Sequence, residues 1–195
     1  MTAASISPPR DFTFAVPADW VRIRVVDDAE RAADVRRIAR AVTRGRPDRD
    51  SLLPKVARML QEAAGARSDS WTVEVYLSLF QEGAPPIACA LAVGVVPPQA
   101  VPAGGVLDAA FLAAAGPGGS AEVVELAAGP VPRIRRRTTA PAPGGGVVGT
   151  EVVQYQHAVP GGGCVLLSFS TPQLLLLEPL TALFDAVAGS FRWLP

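Results

Sequence analysis

The chain reads as an α+β protein: a mainly antiparallel β-sheet flanked by helices on both faces, an α/β/α sandwich. Three observations lead there. Apolar residues recur two apart near the start of the chain, in Phe12, Phe14, Val16 and again in Val21, Ile23, Val25, as half-buried strands require. Two stretches that follow have the three-and-four spacing of amphipathic helices. Near the other end, the glycine turn Pro160–Gly163 separates two long strand-forming runs, the mark of a hairpin.

Taken in order, Phe12–Val16 and Val21–Val25 flank the turn Pro17-Ala18-Asp19 and are expected to pair as a hairpin with one wet face. Asp27 or Asp28 then caps a helix that gathers Val35, Ile38, Ala39 and Val42 on one side and Arg36, Arg40 and Arg44 on another. Gly45 and Pro47 end it. A second helix starts near Asp50 or Ser51, with Leu53, Val56, Ala57, Leu60 and Ala64 as its buried stripe; Pro54 is tolerated because first-turn amides have no intrahelical acceptor.

Trp71, Val73, Val75, Leu77 and Leu79 alternate as a long strand, and the nearly unbroken apolar run Ile87–Val96 predicts one covered on both faces. A short helix is expected over Val106–Ala115, strands over Ala121–Leu126 and Pro132–Thr138, and a Pro/Gly loop over Ala140–Gly146. Val147–Val159 and Cys164–Thr171 form the hairpin around the glycine turn. Leu176, Leu180, Leu183, Phe184, Val187 and Phe191 define a closing helix, kinked where Pro179 lacks a donor.

Length and composition suit one domain over residues 1–195, with residues 1–10 as a flexible N-terminus; hydrophobic residues are 49% of the chain, enough for a substantial core. Aromatics are only 6%, so Val, Leu and Ala fill most of it around Phe12, Phe14, Trp20, Trp71, Tyr155, Phe169, Phe184 and Trp193. Seventeen of the 18 basic residues are Arg and asparagine is absent, which with the wealth of Ala, Gly and Pro reads as GC-rich coding bias. Formal net charge is zero, which argues against a polyanion-binding protein as a whole. The N-terminal stretch has no apolar export segment and the chain has no 18-residue apolar run, so a cytoplasmic protein without a membrane span is expected.

Several chemistries fail on context. Gly144, Gly146 and Gly149 satisfy the letter of a G-x-G-x-x-G fingerprint, but a strand-forming run follows them where a phosphate-holding helix would have to begin. His157 is the only histidine and is expected beside Tyr155 on one strand face, without partners at metal-ligand spacing. Cys89 and Cys164 sit in apolar runs and read as buried thiols acting as small hydrophobes. The pairs Asp27-Asp28 and Asp48-x-Asp50 lie where helices begin and read as caps. No serine elbow, Walker motif or H-E-x-x-H is present, and neither a cofactor nor a metal is expected.

One local cluster stands out. Arg133, Arg135 and Arg137 alternate along a strand and point three guanidinium groups one way, with Ile134 and Arg136 on the other side. They read either as a solvated edge strand, charged against sheet-to-sheet association, or as the binding surface for an acidic partner. No aromatic stacking platform accompanies them, so nucleic acid is not the expected partner.

Three stretches resemble the PsbP-like fold family, which includes the Ran-binding Mog proteins, DcrB and the LpqN-type proteins of actinobacteria. They are the opening FTFAVPADWVRI, the middle VVELAAGPVPRIR, and the ending VVQYQHAVPGGGCVLLSFSTPQ with LFDAVAGSFRW. The resemblance implies the fold, and binding or assembly roles without catalytic residues to carry over. The expected function is therefore a non-enzymatic protein-interaction module, a cytoplasmic adaptor or chaperone-like subunit whose partner is another protein, with Arg133, Arg135 and Arg137 as the partner-binding residues. The alternative, motivated by Ile87–Val96 and Leu174–Leu177, is a carrier of an apolar ligand held between sheet and helices; an enzyme with an unfamiliar site around His157 is the third reading.

Overall fold

The computed structural model describes residues 11–78, 87–101, 118–141 and 146–194. The expected helix Val106–Ala115, the turn at Gly83-Ala84-Pro85, Leu79 and the N-terminal residues 1–10 lie outside them. The chain divides into two compact units, Ala18–Gly94 and a second one built from 1–17 with 95–195. Each is an antiparallel sheet with helix packed on it, and the α+β class holds in both.

In the first unit, β2 (Trp20–Arg24) pairs with β3 (Thr72–Ser78), which pairs with β4 (Ala90–Val96). The register Ile23↔Val75 and Val21↔Leu77 puts the alternating apolar residues of both strands on one face. Helices α1 (Asp28–Val42) and α2 (Arg49–Gly65) bring Val35, Ile38, Ala39, Leu60 and Ala64 to that face, and a buried cluster joins all three strands to both helices. The Asp27 carboxylate accepts from the Glu30 amide at 2.8 Å and caps α1. Asp48 holds the equivalent position at α2 but makes no side-chain cap bond, and pairs with Arg46 instead. Asp34 fastens α1 to β2 by accepting from Arg24 Nε at 2.9 Å and Nη2 at 3.1 Å. In β4, Ala90 and Gly94 are buried on one side and Leu91 and Val93 on the other, as the unbroken apolar run requires.

In the second unit, β5 (Ser120–Leu126), β6 (Gly129–Pro141), β7 (Val147–Ala158) and β8 (Cys164–Thr171) form an antiparallel series in the order β8-β7-β6-β5. The β7–β8 hairpin forms as predicted. Its turn is held by Val159 N–H donating to Gly163 O at 3.1 Å and Gly162 N–H to Val159 O at 2.9 Å. Gly161, Gly162 and Gly163 have φ of +99°, +115° and +87°, a backbone that side chains oppose. Helix α3 (Leu177–Gly189) lays Phe184 on Phe169, rings stacked at 4.5 Å, and Phe169 meets Tyr155 edge-on at 5.7 Å. These three aromatics are fully buried.

Several local expectations are corrected. Phe12 does not lie in a hairpin with β2: β1 (Asp11–Thr13) pairs with β9 (Arg192–Leu194), Phe12↔Trp193, because alternation specifies a strand but not its partner. Pro179 falls in the first turn of the closing helix, since α3 starts at Leu177, and there its missing donor costs no intrahelical hydrogen bond. Trp71 precedes β3 and is exposed, and Val42 in the last turn of α1 is exposed as well. Gly149 of the glycine fingerprint lies inside β7, so no helix begins there.

Candidate functional site

β6 is not an edge strand: β7 flanks it on one side and β5 on the other. The register Arg133↔Tyr155, Arg135↔Val153 and Arg137↔Glu151 places the three arginines on the same face as Tyr155 and Phe169, the face α3 covers. Their surroundings differ along the strand. Arg133 lies under α3, where Nη1 meets both oxygens of Asp185 and Nη2 reaches Glu122 of β5 at 2.8 Å. The Tyr155 hydroxyl donates to the same Asp185 at 2.7 Å. Burial works against the Arg133 charge, but the two carboxylates outweigh it and hold the guanidinium above its ordinary pKa. Burial, reinforced by Asp185, pushes the Tyr155 hydroxyl well above its usual value.

Past α3 the strand opens. Arg135 and Arg137 converge on one carboxylate, Glu151, at 3.4 and 3.5 Å. Glu151 is buried, whereas the Arg137 side chain is 62% exposed, against 15% for Arg133. Two depressions follow this strip. One of about 560 Å³ lies between β6 and α3 and is bordered by Arg133, Arg135, Leu174, Leu175 and Glu178; the other, about 380 Å³, is bordered by Ser120, Arg135, Arg137 and Glu151. Leu175, in the short 3-10 turn before α3, is fully exposed beside them. The Leu174–Leu177 run thus borders an open groove.

The other sequence candidates take structural places. His157 shares a face with Tyr155 and stacks flat on Phe191, ring centroids 4.0 Å apart. Burial lowers its pKa to about 4, so the ring is neutral near pH 7. Cys89 and Cys164 are buried thiols, not joined to each other, and burial raises Cys164 to about 11, far from a reactive thiolate. Among the described residues no three His, Cys, Asp or Glu side chains converge as a metal would need. Nor is any helix among them long and apolar enough to cross a membrane.

Sequence reasoning found the arginine alternation but missed the residues that differentiate it. Asp185 carried a signal, since a carboxylate next to Phe184 at the edge of an apolar helical stripe needs a cation. Glu151 carried none, because nothing local says that it is buried. No protein-family model matches the chain, and no curated protein or solved structure shows significant similarity to it.

Proposed function

We infer that this protein is a non-enzymatic interaction module, a cytoplasmic adaptor or chaperone-like subunit of PsbP-like fold, that receives an acidic segment of another protein along the outer half of β6. The carrying observation is the two-to-one pairing at Glu151: among the described residues Arg135 and Arg137 share that one buried carboxylate, which leaves one positive charge in excess there, and Arg137 is open to solvent. Exposed Leu175 offers an apolar contact next to them, so the segment that fits carries a carboxylate followed by an apolar side chain. Arg133 has a different task, as the internal counter-ion of Asp185 and Glu122. The antiparallel α+β architecture supports the family reading, and the alternation of charge along β6 supports the docking face.

The test keeps Arg133 and replaces the other two. Arg135→Ser/Arg137→Ser should fold normally while losing a partner that the unaltered chain captures from its source cells, and raising salt should imitate the substitution by screening. A partner retained by the double variant at both low and high salt, or turnover of a small molecule with no partner at all, would reverse this reading.

A further inference from the structure

The strand that lies at the edge of this sheet is β5, which pairs with β6 along all seven of its residues, Ser120↔Arg135 to Leu126↔Gly129, without a bulge. In this register Pro132 faces Val123 and Pro130 faces Glu125, and neither proline has an N–H to give. Backbone bonds alternate along an antiparallel pair, so those between β5 and β6 fall on Ser120, Glu122, Val124 and Leu126. Ala121, Val123 and Glu125 turn both their N–H and C=O groups outward. No strand pairs with them on that side among the described residues.

Natural sheet edges are commonly blunted by a proline, a lysine or a bulge. β5 has none of these, and Val123 at its middle is 46% exposed. Of its two carboxylates, Glu122 is already paired with Arg133 at 2.8 Å. The strand is also complementary to itself. Laid antiparallel against a second β5 about Val123, it pairs over its full length: Val123 meets Val123, Glu122 meets Val124, Glu125 meets Ala121, and Ser120 meets Leu126. Each outward-turned residue then meets another outward-turned residue, so the free backbone groups match, and no carboxylate lies directly opposite another. Sliding one copy by two residues either sets Glu122 against Glu122 or leaves Ser120 and Ala121 without a strand partner.

We propose that β5 is the docking edge for β5 of a second copy of this chain, joined in the antiparallel register centred on Val123. The outward groups of Ala121 bond those of Glu125 in the other copy, and the two Val123 residues bond each other. Their β-branched side chains lie directly opposite, a favourable cross-strand pair. The twofold axis of such a pair stands perpendicular to the sheet, so the arginine strips of both copies face the same side. This interface does not depend on what those arginines bind. One pair of seven-residue strands is small by the standard of stable complexes, so the dimer forms and dissociates reversibly in the micromolar range.

The test is sedimentation equilibrium of the full chain across concentration, with amide exchange on the same samples. The unaltered chain should show a monomer–dimer equilibrium, and the Ala121, Val123 and Glu125 amides should exchange more slowly as concentration rises. Val123→Lys and Val123→Glu each set like charges against one another across the axis, at a site exposed in the single chain. Each variant alone should melt like the unaltered chain and dimerise at least about tenfold more weakly. Mixed in equal amounts, the two should dimerise again, since position 123 of one copy faces position 123 of the other. High salt should reduce that recovery. The proposal fails if the unaltered chain stays monomeric up to about 1 mM, if either variant dimerises like the unaltered chain, or if the mixture stays monomeric. A foreign extended peptide that slows these amides while the chain alone remains monomeric would assign the edge to another protein and overturn it as well.

Discussion

Arg133 Nη1 sits between both oxygens of the Asp185 carboxylate, 2.8 Å from Oδ1 and 2.7 Å from Oδ2. The pair ties the middle of the sheet to α3, and the Tyr155 hydroxyl shares the same oxygen, Oδ1. Removing one partner would strand the other where solvent is scarce. Arg133→Ser should therefore destabilise the fold by about 2–3 kcal/mol in chemical denaturation, and Asp185→Asn by a similar amount. Arg137→Ser, at an exposed site, should stay within about 0.5 kcal/mol. Equal costs at positions 133 and 137 would show that burial under α3 does not distinguish them.

His157 sets one limb of the pH dependence. Burial lowers its folded pKa to about 4 from an ordinary 6.5, so the unfolded chain binds more protons between those values. The stability it contributes is complete above pH 6.5 and is lost progressively as pH falls toward 4, where the loss levels off. His157→Phe should flatten the stability profile across that window. A slope unchanged in the variant would place the titrating group elsewhere.

Asp34 sets a separate, more acidic limb. The hydrogen bond from the Arg24 side chain is the main reason its pKa falls from 3.8 to about 2. Its contribution is present above pH 3.8 and disappears as pH drops through about 2, after the His157 limb has already levelled. Asp34→Asn should remove the acid limb and leave the pH 4 to 6.5 slope intact, readable by thermal melts at closely spaced pH.

The glycine turn separates conformational strain from collision. A Cβ on Gly163 would come within 2.6 Å of the Val96 carbonyl oxygen and 3.3 Å of the Pro98 nitrogen, at φ +87°. Gly161 has a similar φ of +99° but open space around it. Gly161→Ala should cost about 1–2 kcal/mol from backbone strain alone, and Gly163→Ala about 3 kcal/mol or more because backbone must also move. Matching losses at the two sites would mean that the strand ends near Val96 and Pro98 yield freely.

Local order was legible where it is dictated locally. The spacing of Val35, Ile38 and Ala39, the Asp27 cap, and the glycines between two β-branched runs each specify their element through neighbours a few residues away. Pairings across the chain were not. Phe12 meets Trp193 and Phe191, and nothing in the alternation of Phe12 and Phe14 could select those partners over Val21 and Ile23 nearby. The arginine strand shows both sides of this limit. Alternation gave the common direction of Arg133, Arg135 and Arg137, while their unequal burial depends on where α3 ends over the sheet. The end of the β6–β7 ladder left a trace in Pro130 and Pro132, two missing donors just beyond Arg133, but that Tyr155 is the last residue of β7 to pair there is identified only by the register.

The pairing of β6 also bears on self-association. An exposed outer edge of a sheet invites any extended chain to anneal along it, which makes recognition and aggregation hard to separate. β6 offers no such edge, because β5 and β7 take both of its sides, and the stretch of β7 beyond their ladder is only Gln156–Ala158. A charged strand held this way presents its side chains without offering its backbone as a template on which a second copy could grow.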